Sequence, residues 1–248
     1  MKRIRLLVWG VLFLPLVTGC AHQRNSANAP PPPDLPQQTE TKKSLPWHDK
    51  RNSQNSALPT AELSRGEPLL TETGIASWYG SPYHNRRGAN GEIYDMTQMT
   101  AAHRTLPLNS LVRVTNIKTG HSAVVRITDR GPFVGQRMLD LSLAAAKAVD
   151  VWGPGIAWVK MEVLETPAPI DVGGKWAVQI GAFNTIGAAT KMKQHLVSRY
   201  HSAKILEFAG PTGEWVRIRV QNDDREAAEQ ISRTVTTPEG GVFLVRLD

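Results

Sequence analysis

One cysteine, Cys20, occurs in the 248 residues. No intramolecular disulfide can form, which excludes a small disulfide-stapled fold. Long apolar runs are also missing. The most apolar stretch, residues 6–17, has about twelve residues against the ~20 that a transmembrane helix needs. Aromatic residues make up only 6% of the chain, and between residues 21 and 73 there is one, Trp47. No segment carries a dense charge of one sign. The formal charge is +7, and three of those positive charges (Lys2, Arg3, Arg5) lie in the first five residues. The remainder is spread thinly, which argues against a nucleic-acid surface. No His-x-x-x-His spacing occurs and residues 74–166 contain no cysteine, so neither a metal nor another cofactor is expected. What is present is an ordinary globular mixture, 41% apolar and 21% charged, in a length that suits one or two domains.

The N-terminus has the layout of a leader: basic residues, an apolar stretch, then Thr18-Gly19-Cys20. The string Leu16-Val17-Thr18-Gly19-Cys20 resembles a bacterial lipobox. That resemblance implies a signal peptide over residues 1–19 and lipidation of Cys20. Each acyl CH₂ buried in a bilayer contributes ~0.8 kcal/mol, so several chains anchor a protein almost permanently. Ala21, rather than an aspartate, implies the outer membrane under the sorting rule of enteric bacteria.

Residues 20–73 are expected to form a disordered tether. Eight of the seventeen prolines fall there, including Pro30 to Pro33, among many Asn, Gln, Ser and Thr. Such a segment cannot bury enough apolar surface to offset its conformational entropy. As a flexible coil it would span ~40 Å, and fully extended ~170–190 Å.

From residue 74 the texture changes. Residues 74–79, 111–115, 123–128 and 156–164 read as strands, with a turn at residues 118–120. Residues 144–148 (AAAKA) predict a short helix, with Ser142 a candidate N-cap. Many strands, one short helix and several glycines suggest a small β-barrel over residues 74–166. Its polar residues are concentrated in three strings. Trp78 to Asp95 holds Tyr79, His84, Arg86, Glu92 and Asp95; residues 100–107 (TAAHRTLP) hold His103 and Arg104; Thr128-Asp129-Arg130-Gly131-Pro132 ends a strand. In their order and spacing these strings resemble the rare lipoprotein A family. Its relatives include expansins and one class of lytic transglycosylase.

The resemblance implies a six-stranded double-psi β-barrel that acts on peptidoglycan glycan strands. A lytic transglycosylase uses no water: the sugar's own 6-hydroxyl attacks, leaving a 1,6-anhydro ring. One carboxyl group then serves first as acid and later as base. By resemblance Asp129 is that group, and Glu92 and Asp95 lie in its cleft; these two and His103 are expected to support catalysis by binding, orientation or charge stabilisation. On its residues alone, Asp129 before Arg-Gly-Pro also reads as a turn cap, and Glu92 and Asp95 as solvated loop carboxylates. His103 reads equally as a hydrogen-bonded core residue or as a group that polarises Asp95 or Asp129 or binds sugar. Tyr79, His84, Arg86, Arg104 and Arg130 are candidates for substrate contact.

Residues 167–174 (PAPIDVGG) read as a hinge. Beyond it, strands at 175–183, 203–209, 214–220 and 241–247 and helices at 185–200 and 223–234 give the order βαββαβ. Trp176 to Phe183 resembles the opening strand of the sporulation-related repeat (SPOR) domain, which implies binding of glycan without stem peptides. Period-2 geometry places Trp176, Val178 and Ile180 toward the helices, and Ala177, Gln179, Gly181 and Phe183 on the other face. Gln179, Trp215 and Arg217 are candidate sugar contacts there. The family pattern continues the third strand into Gly-Pro-Phe, whereas Val220 is followed here by Gln221-Asn222.

The combined expectation is an outer-membrane lipoprotein that faces the periplasm and cleaves peptide-poor glycan at the division septum. Its partners would be glycan strands, the membrane through Cys20, and division-site proteins; nucleic acid is not among them. Two other classes compete: an expansin-like protein that binds or loosens glycan without cleaving it, and a structural lipoprotein recruited by division partners.

Overall fold

A computed structural model describes residues 67–248 except 202, 211 and 212. The leader, Cys20 and nearly all of the expected tether lie outside the described residues. The first sheet is a closed barrel of six strands, ordered β1-β5-β2-β4-β3-β6. Its strands are β1 (Leu70–Trp78), β2 (Thr100–His103), β3 (Leu111–Asn116), β4 (Ser122–Asp129), β5 (Arg137–Leu141) and β6 (Ile156–Glu165). Two neighbouring pairs, β1/β5 and β2/β4, run parallel and the rest antiparallel. This is the double-psi barrel expected. β1 begins at Leu70, four residues earlier than the composition suggests, because β6 is ten residues long and pairs with it from Leu70 opposite Val163 to Ser77 opposite Ile156.

Alternation decides which side chains fill the barrel. Val112 and Val114 of β3, Val125 and Ile127 of β4, and Val159, Met161 and Val163 of β6 are all buried in one core with Leu139 and Leu141. Burying each such side chain contributes ~1.5–3 kcal/mol. The helix α1 (Leu143–Ala148) is capped as expected: Ser142 Oγ accepts the N–H of Ala145 at 3.1 Å and donates to the Gln98 carbonyl at 2.6 Å. Ala145 and Ala146 seal that side of the core.

The second sheet has four antiparallel strands ordered β10-β7-β9-β8. Its elements are β7 (Trp176–Phe183), α2 (Ile186–Arg199), β8 (Lys204–Gly210), β9 (Gly213–Arg219), α3 (Arg225–Thr234) and β10 (Gly241–Arg246), the βαββαβ order read from the sequence. Thr185 and Asp224 cap the two helices, each accepting the N–H three residues on. α3 starts at Arg225, two residues later than periodicity predicts, because Asn222 and Asp223 hold φ of 56° and 53° and break the helix.

Trp176, Val178 and Ile180 meet the helices as expected. Phe183 does not follow its expected face. It is packed in the same helix-side core, because the β7–β9 register shifts between Gly181 and Phe183 and resets the alternation. The end of the chain lies against the barrel: the Arg246 N–H donates to the Arg104 carbonyl at 3.0 Å, and the Leu108 N–H to the Asp248 carbonyl at 3.2 Å. Phe133, just past β4, meets Trp215 and Phe243 of the second sheet at 5.5 and 5.7 Å between ring centres.

Candidate active site

One row of residues crosses four strands of the barrel. Ser77 on β1 is opposite Asp140 on β5, Asp140 is opposite Ala102 on β2, and Ala102 is opposite Asp129 on β4. Neighbouring strands lie ~4.8 Å apart, which puts the two aspartate Cα atoms about 10 Å from each other with only the Ala102 methyl between them. Asp140 points away from the barrel interior because Leu139 and Leu141 on either side of it point in. A shift in the β2–β4 register between Ala101 and Ala102 brings Asp129 into the row. The chain then turns at Gly131, with φ of +148°; a Cβ there would approach within 3.7 Å of Ala102 and 4.0 Å of Asp140 Oδ2. A side chain at residue 131 would crowd the space between the carboxyls.

Asp129 Oδ1 accepts the N–H groups of Ala89 at 3.0 Å and Arg130 at 2.7 Å. Both bonds fall on one oxygen, which leaves Oδ2 for a bound molecule. Burial raises the proton affinity of Asp129 above the usual carboxylate range, and the two N–H donors and Arg130 only partly oppose it. Asp140 is shifted the same way by burial, against the Ser77 hydroxyl, which donates to Oδ1, and Arg137, 3.5 Å from Oδ2. Two carboxyl groups of raised proton affinity therefore flank one small side chain.

Beside them stands an aromatic cluster. Tyr79 stacks on Tyr94 at 4.4 Å and meets Tyr83 edge-on at 5.7 Å. The Tyr79 hydroxyl is buried without a hydrogen-bond partner among the described residues, and burial with the nearby Asp129 charge keeps it protonated. Burial pushes Tyr94 up to about 12. These groups open onto a cleft of about 530 Å³ that also takes in Arg86, Arg130 and Arg137. That volume falls in the ~300–1,000 Å³ range of small-ligand sites. The opposite side of the cleft comes from the second sheet, through Gln179, Phe208, Trp215 and Arg217.

Of the four residues read as catalytic, only Asp129 lines this cleft. Glu92 is exposed on its loop and held by Arg126 through two hydrogen bonds of 2.9 and 2.7 Å, which lower its proton affinity. Asp95 accepts the N–H and hydroxyl of Thr97 at 2.9 and 2.8 Å, closing a local turn. Both lie on the irregular segment between β1 and β2, where no alternation governs direction. His103 is 5% exposed and lies on the other face of β2 from Ala102. Its Nδ1 accepts the N–H groups of Thr105 and Leu106 at 3.2 and 3.0 Å, and its Nε2 lies 4.0 Å from Glu72. Burial, then Arg104 and Arg130, push its pKa down to about 3, so the ring is neutral. Its geometry is that of the hydrogen-bonded core residue.

The candidate sugar contacts divide in the same way. Tyr79, Arg86, Arg130, Gln179, Trp215 and Arg217 line the cleft. His84 is instead a local acceptor for the Met96 N–H at 3.3 Å. Arg104 is turned away to the Pro132 and Arg137 carbonyls at 3.0 and 2.8 Å. Arg130 braces the β2–β3 connection through the His103 and Leu106 carbonyls, at 3.0 and 2.8 Å. Trp215 is only 3% exposed, wedged against Gly181, Gly210 and Phe133, so it shapes the wall rather than offering an open stacking face. Gln179 faces away from the helices as expected, yet it is 3% exposed and accepts Arg217 at 2.6 Å. The sequence reading missed Asp140 altogether. The alternation Leu139-Asp140-Leu141 was its signal, since a carboxylate between two core leucines must face outward.

The fold and this cleft define a two-part protein, a double-psi barrel joined to a four-stranded sheet with two helices. Sequence comparison supports both parts: the family described as "Lytic transglycolase" matches residues 71–161, and the SPOR domain matches residues 172–246. Relatives named endolytic peptidoglycan transglycosylase RlpA are similar over about half of the chain or less. That of Campylobacter jejuni is 38% identical over 160 residues, 54% of this chain and 58% of its own. That of Neisseria meningitidis serogroup A is 47% identical over 118 residues, 47% of this chain and 49% of its own. That of Vibrio cholerae is 54% identical over 100 residues, 40% of this chain and 38% of its own. The chain thus spans less than two thirds of the length of these relatives. Among solved structures, Clavibacter michiganensis expansin is 19% identical at a TM-score of 0.33, over 62% of this chain and 81% of its own. The first part is thus similar to the rare lipoprotein A relatives, and the second to the SPOR domain.

Proposed function

We propose that this protein is an endolytic peptidoglycan lytic transglycosylase that cleaves the MurNAc–GlcNAc bond and leaves a 1,6-anhydro-MurNAc end. The observation that carries this reading is the Asp129–Ala102–Asp140 row: two carboxyls of raised proton affinity across the floor of one cleft. The names of the relatives and the barrel's family match support it. In this reading Asp129 Oδ2 carries the proton, since Oδ1 is committed to two N–H donors. It delivers that proton to the glycosidic oxygen as the C1–O bond breaks. Asp140, beside Arg137, holds negative charge toward the positive charge that develops at C1. The Asp129 carboxylate then takes the proton of the 6-hydroxyl as its oxygen closes on C1. His103 acts from a distance, fixing the turn at Thr105 and Leu106 that Arg130 also braces.

The wider reading follows the same lines. Cys20, lipidated, would anchor the chain to the outer membrane on the periplasmic side, with the residues before β1 as a tether. The second sheet would bind peptide-poor glycan and enrich the protein at the septum, where division-site proteins are its neighbours. No helix among the described residues is long and apolar enough to cross a membrane.

The test is a digest. Residues 20–248 with Cys20→Ser are incubated with glycan strands stripped of peptides, beside the Asp129→Asn variant, and the products are read by mass spectrometry. Anhydro ends from the wild type alone are the expected result. Reducing ends would make it a hydrolase. Binding without new ends would make it the expansin-like protein.

A further inference from the structure

The cleft carries more positive charge than cleavage of a neutral sugar bond requires. Four arginines of the barrel, Arg86, Arg87, Arg130 and Arg137, line it together with Arg217 of the second sheet. Two carboxyl residues, Asp129 and Asp140, line it with them, and Asp248, outside the lining, also acts on Arg130. The Nε atoms of Arg130 and Arg137 are buried and make no hydrogen bond among the described residues. Arg217 is aimed rather than free: its Nε and Nη2 donate to Gln179 Oε1 at 3.3 and 2.6 Å, and its guanidinium lies 4.8 Å from the Phe208 ring centre. Among the described residues its Nη1 makes no hydrogen bond. A site so built fits an anion with planar acceptors.

Peptidoglycan glycan offers one such group. The lactyl side chain of each muramic acid ends in a carboxyl. In a strand that bears stem peptides this carboxyl is an amide, bulky and uncharged. In a strand stripped of peptides it is a free carboxylate. We propose that the cleft between barrel and second sheet reads the free lactyl carboxylate, with Arg217 on the sheet wall and Arg86 on the barrel loop as its specificity residues. The second sheet is then a wall of the cleaving site as well as an anchor to the polymer. Selection acts through charge and not only through the lack of a bulky peptide. This inference rests on the function proposed above.

The experiment separates charge from bulk. Stripped glycan strands are compared with the same strands whose lactyl carboxylates have been converted to methylamides, which are small and neutral. Cleavage by residues 20–248 (Cys20→Ser) is followed as kcat/KM on each. A charge-assisted hydrogen bond lost to the amide should make the free carboxylate strands about 10–100-fold better substrates. Arg217→Gln should lower cleavage of the carboxylate strands far more than that of the methylamide strands, so that the preference narrows. Arg86→Gln, on an exposed loop, should narrow the preference without a change in thermal unfolding, and decides the matter if Arg217→Gln fails to fold. Equal cleavage of both strands by the wild type would overturn the inference and leave the proposed activity standing. An equal slowing of both strands by Arg217→Gln would assign it a packing role and overturn the inference too. No cleavage of either strand would remove the proposed activity and the inference with it.

Discussion

Asp129→Asn separates the acid/base role of this residue from that of a turn cap. The change is nearly isosteric. An asparagine Oδ1 can still accept the Ala89 and Arg130 N–H groups, now at 3.0 and 2.7 Å, so the turn keeps its bonds. What disappears is the proton. Loss of a general acid or base lowers rates ~10²–10⁴-fold, equivalent to about 3–5 kcal/mol of barrier. Stability should move the other way. Burial raises the Asp129 pKa above 3.8, so the folded state holds its proton more tightly than the unfolded state does. Wild-type stability therefore falls as pH climbs from the unfolded value through the raised folded one, and the loss persists at neutral pH. Asparagine has no such dependence. Denaturant unfolding from pH 4 to 8 should show the variant gaining on the wild type as pH rises, while its cleavage of glycan is lost. If instead the wild type gains on the variant with rising pH, Asp129 is a charged, paired turn residue, and the acid/base reasoning fails.

Three further changes probe the same architecture. Ala102→Leu puts a branched side chain on the floor between the two aspartates; cleavage should drop at least ~10²-fold with at most about 1–3 kcal/mol of stability lost, and near-normal rates would show that substrate does not pass over this row. Tyr79→Phe removes a buried, unpartnered hydroxyl; thermal unfolding should show no loss of stability, since such a group costs about 1–3 kcal/mol, while any slowing of cleavage would report contact with the sugar. His103→Gln tests the neutral core histidine: with a folded pKa near 3 against 6.5 unfolded, wild-type stability should decline as pH falls from about 6.5 toward 3, by up to about 1.4 kcal/mol per pH unit. The variant lacks that slope, so parallel curves from denaturant unfolding would refute the buried, neutral ring.

Local rules made much of the fold legible. Val112, Val114 and Asn116 alternate with outward residues along β3, and Ser142 and Thr185 cap helices where their side chains satisfy orphan N–H groups. Those signals need only a few consecutive residues. The places where the reading departs from the structure each depend on something non-local. Phe183 changes face because a bulge in the β7–β9 pairing resets the period. Glu92 and Asp95 were grouped with Asp129 by resemblance, but their loop settles them against Arg126 and Thr97 instead. The cleft itself is a matter of register: Ser77, Asp140, Ala102 and Asp129 are scattered over 64 positions and meet only because β5 and β4 flank β2. Of these, Asp140 was within reach of the sequence, since a carboxylate between two core leucines has one direction open to it. The pattern leaves it unmarked because the strand that holds it is only five residues long and runs straight into a helix. The second wall was further from reach. Gln179 and Arg217 could be assigned to an outward sheet face, but no period within 175–248 says that this face meets the barrel at Phe133. A residue's face is thus a local property, whereas what that face looks upon is fixed by strand pairing and by the contact between the two sheets.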